Sequence, residues 1–347
     1  MRIAVLFMMF ILFLSSPTLA APKTEIIHDQ PIGDASSVTL SLVHTPARTD
    51  EVMYRVWRTA DGPSSAKTFT STDKQSNFSL VLATKQFESQ RGQYEIEAVR
   101  VKKKKPMITI AKSTVTFQQY VPILMYHSIA EFKGSGLEEL YVSPANFEAQ
   151  IRYLKEHNYT PLTFDRWNEI NTVNKPVCIT FDDGYENNIN AYEIFKKMKS
   201  DHFRPSGTIF VIAGFVGKHH RLTADQLRDM SQSGFFSIQS HTMYHPDLPE
   251  VKNIQEELEK SKDVIEAMTG KPVMAFAYPY GHYNKDIMQQ AMKYYQFAVT
   301  VRHGLFIEKG APDEYYTMPR QFVQYSTTIE QFANLLQPHA VSNHHSS

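Results

Sequence analysis

The sequence has very little cysteine, no excess charge of either sign and no internal repeat. Its single cysteine, Cys178, cannot form an internal disulfide, so no disulfide framework supports the fold. Because Cys178 lies inside the apolar run 177–181, we expect a small buried side chain and not a reactive thiol. The 36 acidic and 36 basic residues cancel, which argues against a nucleic-acid partner bound by bulk electrostatics.

Long hydrophobic runs are also absent after residue 20, so no later segment is expected to cross a bilayer. Residues 1–20 are different, because Arg2 is followed by an apolar stretch at 3–14 and by small residues at 18–20. This arrangement predicts a signal peptide and therefore a secreted or cell-surface protein. An uncleaved anchor is the alternative, and it would then be the protein's contact with a membrane.

The next part of the chain has the residue pattern of an all-β domain. Residues 21–37 are mostly polar with scattered prolines, and we predict a linker there. Alternation of apolar and polar residues then recurs in five segments: 38–43, 52–57, 78–82, 94–99 and 108–117. Short strands at this spacing predict a small all-β, sandwich-like domain over residues 38–118.

From residue 119 to residue 337 the pattern changes to alternating strands and helices. Ser143 followed by Pro144 predicts a helix start, with the serine as N-cap. Repeated β-then-α units predict an α/β domain with a parallel sheet, open or closed into a barrel. Residues 338–347 are a polar tail.

The first candidate for chemistry is Asp182-Asp183-Gly184, which ends the apolar strand at 177–181. In parallel α/β folds, functional groups collect where the strands end at their carboxyl edge. Two adjacent carboxylates there can divide the work, one binding a cation and the other accepting a proton. A turn with a helix cap is the alternative, since Asp and Gly are ordinary turn residues.

A histidine pair, His241 and His245, follows another short strand at 236–239. Histidines four positions apart meet on one side of a helical turn, so their nitrogens can converge on one ion. With one carboxylate they would form a three-ligand set with a position left open for water, which is typical of a catalytic metal site. Two unrelated surface histidines are the alternative.

Two further strand ends carry candidate groups. Tyr278 and Tyr280 follow a strand and could line a sugar pocket, and a backbone N–H there could face a developing oxyanion. A packed β-turn is the alternative. His127 closes the first strand of the α/β region, where a histidine can serve as a general acid near neutral pH. A purely structural histidine is equally compatible with this position.

In this order, the segments 180–184, 240–246 and 278–281 resemble the motifs of the polysaccharide deacetylase family, carbohydrate esterase family 4. The resemblance covers about residues 120–335. It implies a distorted (β/α) barrel with fewer than eight units. It also implies Asp183, His241 and His245 as ligands of a divalent metal, for which zinc is the first choice.

The resemblance assigns the remaining roles as well. It implies Asp182 as the base, His127 as the acid and the backbone N–H of Tyr280 as an oxyanion donor. The segment 125–128 resembles the branch that deacetylates poly-β-1,6-N-acetylglucosamine, in which the acid histidine precedes the Asp-Asp motif.

Two features depart from the family pattern. Many members have an arginine that orients the base two residues before the motif proline, where this chain has Ala277, and Arg320 is the candidate substitute. No clear late histidine motif is present. His303 is a rival acid, and the tail histidines, at positions 339, 344 and 345, are not expected to take part.

The function implied by the resemblance is N-deacetylation of an extracellular polysaccharide that contains N-acetylglucosamine. O-deacetylation of another glycan, or deacetylation of peptidoglycan, could use the same site. A glycan-binding protein without turnover is an alternative of a different class.

Overall fold

The computed structural model describes residues 22–102 and 107–338. The predicted signal peptide and the tail histidines lie outside the described residues. Within the described ranges, no helix combines the length and the apolar character that a bilayer span requires.

The amino-terminal part is built from two antiparallel sheets with the strand orders β1-β2-β5 and β4-β3-β6-β7. The strands are β1 (Glu25–Ile27), β2 (Ser37–Val43), β3 (Glu51–Arg58), β4 (Lys67–Ser71), β5 (Leu80–Ala83), β6 (Gly92–Val101) and β7 (Ile108–Phe117). In β3 the buried Val52, Tyr54 and Val56 alternate with half-exposed neighbours. Their side chains join one apolar core with buried residues of the other sheet, such as Leu40 and Leu82, which confirms the small all-β region.

The structure corrects two details of this region. The predicted linker at 21–37 contains β1, which pairs with β2 and buries Ile26. Three residues are too few to show a period in the sequence. Strand β4 was not predicted, because most of its side chains are polar and exposed and its pairing with β3 does not depend on an apolar face.

The carboxyl-terminal part is a closed ring of seven parallel strands. The strands of this part are β8 (Ile123–Tyr126), β9 (Ser128–Ile129), β10 (Tyr141–Val142), β11 (Thr160–Leu162), β12 (Pro176–Asp183), β13 (Gly207–Val211), β14 (Phe236–Ser240), β15 (Ala275–Ala277), β16 (Phe297–His303) and β17 (Met318–Phe322). The ring closes because β8 pairs with both β12 and β17, while β11 adds to β12 and β9 pairs with β10. The expected distorted barrel with fewer than eight units is confirmed.

The helices are α1 (Pro144–Glu156), α2 (Ile189–Met198), α3 (Ala224–Gln232), α4 (Ser261–Thr269), α5 (Lys285–Ala291) and α6 (Ile329–Leu335). Helix α1 begins as predicted, because the Ser143 hydroxyl accepts a hydrogen bond from the backbone N–H of Asn146 at 3.2 Å. Phe147, Ile151 and Leu154 bury one face of α1. A π-helical turn, Glu256–Lys260, precedes α4.

Aromatic side chains fill the amino-terminal mouth of the barrel. Trp167 lies 5.4 Å from both Phe297 and Phe306, measured between ring centroids. The segment that leaves the all-β region is fastened to this mouth, since Gln119 Nε2 donates to the carbonyl oxygens of Ile170 and Val173 at 2.6 and 2.8 Å. Cys178 is buried among the same apolar residues, as predicted.

Candidate active site

The strand register brings the candidate side chains to one edge of the barrel. On β12, Asp183 pairs with Val211 of β13, and Val211 pairs with Ser240 of β14, so His241 follows directly beyond this edge. On the other side of β12, Phe181 pairs with Tyr126 of β8. His127 is therefore level with Asp182, because both follow these paired positions in parallel strands.

Asp182 is held by an arginine from β17, which is separated from β12 in the ring by β8 alone. The guanidinium of Arg320, on β17, donates two hydrogen bonds of 2.7 Å to the two carboxylate oxygens of Asp182. Arg320 also donates to the Thr180 hydroxyl and to the Thr300 carbonyl. Since all of these groups are buried, the two-point contact fixes both the position and the orientation of the carboxylate.

The same contact determines the charge of Asp182. Burial by itself would raise the pKa of the carboxyl, but the charge and hydrogen bonds of Arg320 hold that pKa well below its usual range. Asp182 is therefore ionised at neutral pH, with oxygen lone pairs still available to accept a proton.

Asp183, His241 and His245 form a compact group in which one potential ligand atom from each residue lies within 4.8 Å of the others. The Nε2 atoms of both histidines are 3.7 Å from Oδ1 of Asp183. The backbone of Asp183 has a φ of 72°, so the chain turns sharply as β12 ends and directs this carboxylate away from that of Asp182.

Both histidines have the protonation state that a metal ligand requires. Nδ1 of His241 lies 2.8 Å from the carbonyl oxygen of Ala277, which places the proton on Nδ1 and leaves the Nε2 lone pair directed at Asp183. Burial lowers the pKa of His245 to about 4, and the neighbouring His241 adds to the effect. His245 is therefore neutral at neutral pH, the state in which imidazole binds a metal.

The comparisons with known proteins agree with this geometry. Residues 169–299 match the family model described as polysaccharide deacetylase. A Bacillus subtilis protein provisionally named a polysaccharide deacetylase is 35% identical over 219 residues, which cover 60% of this chain and 74% of that protein. The crystal structure of a polysaccharide deacetylase from Bacillus cereus superimposes with a TM-score of 0.89 at 43% identity, over 91% of this chain and 100% of that chain.

The protein belongs to the polysaccharide deacetylase family. A more distant relative is the poly-β-1,6-N-acetyl-D-glucosamine N-deacetylase of Staphylococcus aureus. It is 29% identical over 203 residues, which cover 52% of this chain and 66% of that protein.

The prediction that the two histidines share a helical turn was wrong. His241 and His245 do not meet on a helical turn, because the segment between them is a loop in which Thr242 and His245 have φ values of 69° and 60°. The Thr242 hydroxyl accepts a hydrogen bond of 2.8 Å from the backbone N–H of His245. The two rings converge because of this bent loop, with centroids 4.7 Å apart.

A buried carboxylate that the sequence did not reveal stabilises the loop. Oε2 of Glu257, in the π-helical turn, accepts hydrogen bonds from the backbone N–H groups of Met243 and Tyr244 at 3.0 and 2.9 Å. Glu257 is 6% exposed. In the sequence it resembled one more charge on an amphipathic helix, and the π-helical turn that points it inward has no clear sequence signal.

Arg221 is a second contributor that sequence reasoning missed. Its guanidinium donates to the backbone carbonyl of Asp183 at 3.0 Å and lies 4.0 Å from the Asp183 carboxylate. The ring of Tyr185, which directly follows the Asp-Asp-Gly motif, lies 4.1 Å from the same guanidinium. These contacts hold the turn after β12 in place.

His127 lies beside Asp182 in a largely enclosed position. Burial lowers the pKa of His127, while the charges of Asp182 and Asp183 act in the opposite direction. Its Nδ1 atom is buried and has no hydrogen-bond partner among the described residues. The ring packs against Phe322, and the His127 carbonyl accepts from the Asn188 side chain at 2.7 Å, so the residue is well anchored.

The two tyrosines of the third motif have different environments. Tyr278 is fully buried and belongs to the core, whereas Tyr280 is 56% exposed and its ring centroid is 4.6 Å from that of His245. Of this pair, Tyr280 is therefore the one that can meet a substrate. The rival acid, His303, ends β16 with an exposed side chain.

Proposed function

We propose that this protein hydrolyses the N-acetyl groups of a polysaccharide that contains N-acetylglucosamine, with a divalent metal ion bound by Asp183, His241 and His245. The observation that carries the proposal is the meeting of this ligand group with the ionised, arginine-held carboxylate of Asp182. A binding protein without turnover would have no need to keep a buried base in place by a two-point ion pair.

The ligand group suits zinc. Two imidazole nitrogens and one carboxylate oxygen are a common catalytic donor set, and they leave a coordination position open. Ligand atoms about 2.0–2.1 Å from a tetrahedral ion lie roughly 3.3 Å apart, and both Nε2 atoms are 3.7 Å from Asp183 Oδ1. When bound, the ion would polarise the acetyl carbonyl and acidify the attacking water.

The residues around it supply the proton transfers. Asp182 accepts the proton of the attacking water, and Arg320 keeps Asp182 ionised and oriented while it does so. His127 delivers a proton to the departing nitrogen, because an amine leaves poorly without one. Its lowered pKa means that His127 rests neutral, so the proton that Asp182 takes from the attacking water passes to His127 and from there to the nitrogen. The charges of the nearby carboxylates favour this transfer to His127.

The backbone N–H of Tyr280 completes the proposed site by donating to the oxyanion. The Staphylococcus aureus relative supports β-1,6-linked N-acetylglucosamine as the substrate. A secreted or cell-surface location follows from such a polymer. We also propose that residues 38–118 and 119–337 are separate domains, since each has an apolar core of its own.

Acetate release from N-acetylglucosamine oligomers tests the proposal. The zinc-loaded protein is compared with a chelated sample and with Asp182→Asn, on β-1,4-linked and β-1,6-linked oligomers and on an O-acetylated glycan. We expect release from the β-1,6-linked oligomer that disappears in both controls. Release from the O-acetylated glycan alone would replace N-deacetylation by O-deacetylation, and metal binding without any release would favour a binding protein.

A further inference from the structure

A second cavity lies at the opposite end of the barrel from Asp182 and Asp183. It has a volume of about 500 Å³ and is lined by residues at the starts of three strands, including Thr160 of β11, Ser206 just before β13 and Ser237 of β14. Ser237 is four residues before His241 along β14, which at about 3.3 Å per residue separates the two sites by roughly 13 Å. The cavity is therefore distinct from the candidate active site, and its volume is in the range of small-ligand pockets.

Its lining carries cations that lack partners within the protein. Arg204 and Lys271 line the cavity, and within residues 22–102 and 107–338 neither side chain makes a hydrogen bond or an ion pair. Arg166, a third cation of the lining, is already neutralised by two hydrogen bonds to Glu169. The acidic side chain among the lining residues is Asp165. The lining therefore has two positive charges without an ion-pair partner in the described part of the chain and one negative charge, that of Asp165.

Arg204 has an exposed side chain without an ion-pair partner among the described residues, next to a glycine. Its guanidinium lies against Gly234, so closely that a β-carbon at Gly234 would be 2.6 Å from Nη2. Gly234 follows α3 with a φ of 72°, a conformation that suits glycine. The missing side chain at this position leaves room for the guanidinium beside the cavity, where its donors remain available.

We propose that this cavity binds a sugar unit that carries an anionic group, either a phosphate or a carboxylate. The planar donors of Arg204 match both groups, and Lys271 adds a second positive charge. Hydroxyl groups of the lining, on Thr163, Ser231 and Ser237, and the carboxylate of Asp165 suit the hydroxyls of a sugar ring. A site of this kind would attach the protein to an anionic glycan while the opposite end of the barrel acts on its substrate.

The test is a titration of the zinc-loaded protein with N-acetylglucosamine 6-phosphate, glucuronic acid, N-acetylglucosamine and inorganic phosphate, followed by NMR or calorimetry. We expect saturable binding of at least one charged sugar, with shifts at Ser237 and Lys271 and not at His241. The Arg204→Gln/Lys271→Gln variant should weaken this binding by about tenfold or more, because it removes the charge-assisted hydrogen bonds to the anionic group. Acetate release from short neutral oligomers should remain unchanged.

A matched control removes the same charges from the all-β region. Arg48 and Lys85 are exposed there, and Arg48→Gln/Lys85→Gln should leave the binding intact. The proposal is overturned if no charged sugar binds saturably, if the control pair weakens binding equally, or if N-acetylglucosamine binds as tightly as its phosphate. Binding of inorganic phosphate as tight as that of the sugar phosphate would also overturn it, since the sugar ring would then contribute nothing.

Discussion

The two mouths of the barrel are built from opposite kinds of side chain. The carboxyl-terminal mouth holds buried charges, of which the Asp182–Arg320 pair is the most enclosed. The amino-terminal mouth is filled by aromatic rings around Trp167 and is tied to the all-β region through Gln119. The carboxyl-terminal mouth is therefore polar and accessible at Tyr280, which is 56% exposed, whereas apolar packing fills the amino-terminal mouth.

This difference separates stability from chemistry. An aromatic plug contributes to folding by burying apolar area, and it has no group that can move a proton. A buried ion pair adds little net stability, because desolvation offsets much of the attraction. Its value at the carboxyl-terminal mouth is the orientation of Asp182, so only changes at that mouth should lower acetate release per folded molecule.

The largest expected effect comes from Asp182→Asn. The amide cannot accept the proton of the attacking water, so kcat should fall by roughly 10²–10⁴, the usual contribution of a general base. Zinc affinity should change little, because Asp182 is not in the ligand group. A parallel loss of zinc binding would show that Asp182 acts as a ligand and not as the base.

Arg320→Met leaves the Asp182 carboxylate buried without its partner. We expect the free energy of unfolding to fall by about 3–5 kcal/mol, as for other broken buried pairs, together with most of the acetate release. Urea denaturation measures the first effect. The double variant Asp182→Asn/Arg320→Met should recover part of the stability and none of the activity, and no recovery would contradict the explanation by an unpaired charge.

Trp167→Ala tests the other mouth. Removing this ring should lower the free energy of unfolding by about 3–5 kcal/mol, while acetate release per folded molecule stays close to that of the wild type. Trp57, the second tryptophan of the sequence, is half-exposed, so Trp57→Ala should cost clearly less stability. A large loss of kcat in folded Trp167→Ala protein would show that the two mouths are coupled.

The smallest effect concerns Glu257, which positions the histidine loop. Glu257→Ala removes the acceptor of two backbone N–H groups and should weaken zinc binding by about 10–100-fold, the usual range for groups that orient metal ligands. Glu257→Gln keeps an acceptor oxygen and should recover most of the affinity. Calorimetric zinc titrations of both variants check this, and equal affinities for Glu257→Ala and the wild type would exclude the role.

Local patterns were sufficient to predict much of this molecule. Apolar alternation in β3 and the N-cap at Ser143 are properties of neighbouring residues, and the structure confirms both. The polar groups at the ends of β12 and β14 were predicted to meet, because parallel strands end at one edge. They do meet there.

Contacts that depend on ring closure or on loop geometry could not be predicted in the same way. Arg320 was named as a candidate partner of Asp182 only through the family resemblance, since the two are 138 positions apart and their contact requires the pairing of β17 with β8. The convergence of His241 and His245 depends on positive φ values that a four-residue spacing does not reveal. The buried position of Glu257 could not be predicted, because the sequence alone does not distinguish a buried glutamate from an exposed one.

The most direct test of the central claim is a zinc titration with acetate release measured on the same samples. It compares the wild type with His245→Ala and with His303→Ala, a control that removes an exposed histidine at the end of β16. We expect one tightly bound ion per chain, a zinc affinity more than about 100-fold lower in His245→Ala, and no change in His303→Ala, with acetate release following the bound metal. Tight zinc binding and full acetate release by His245→Ala would contradict the claim.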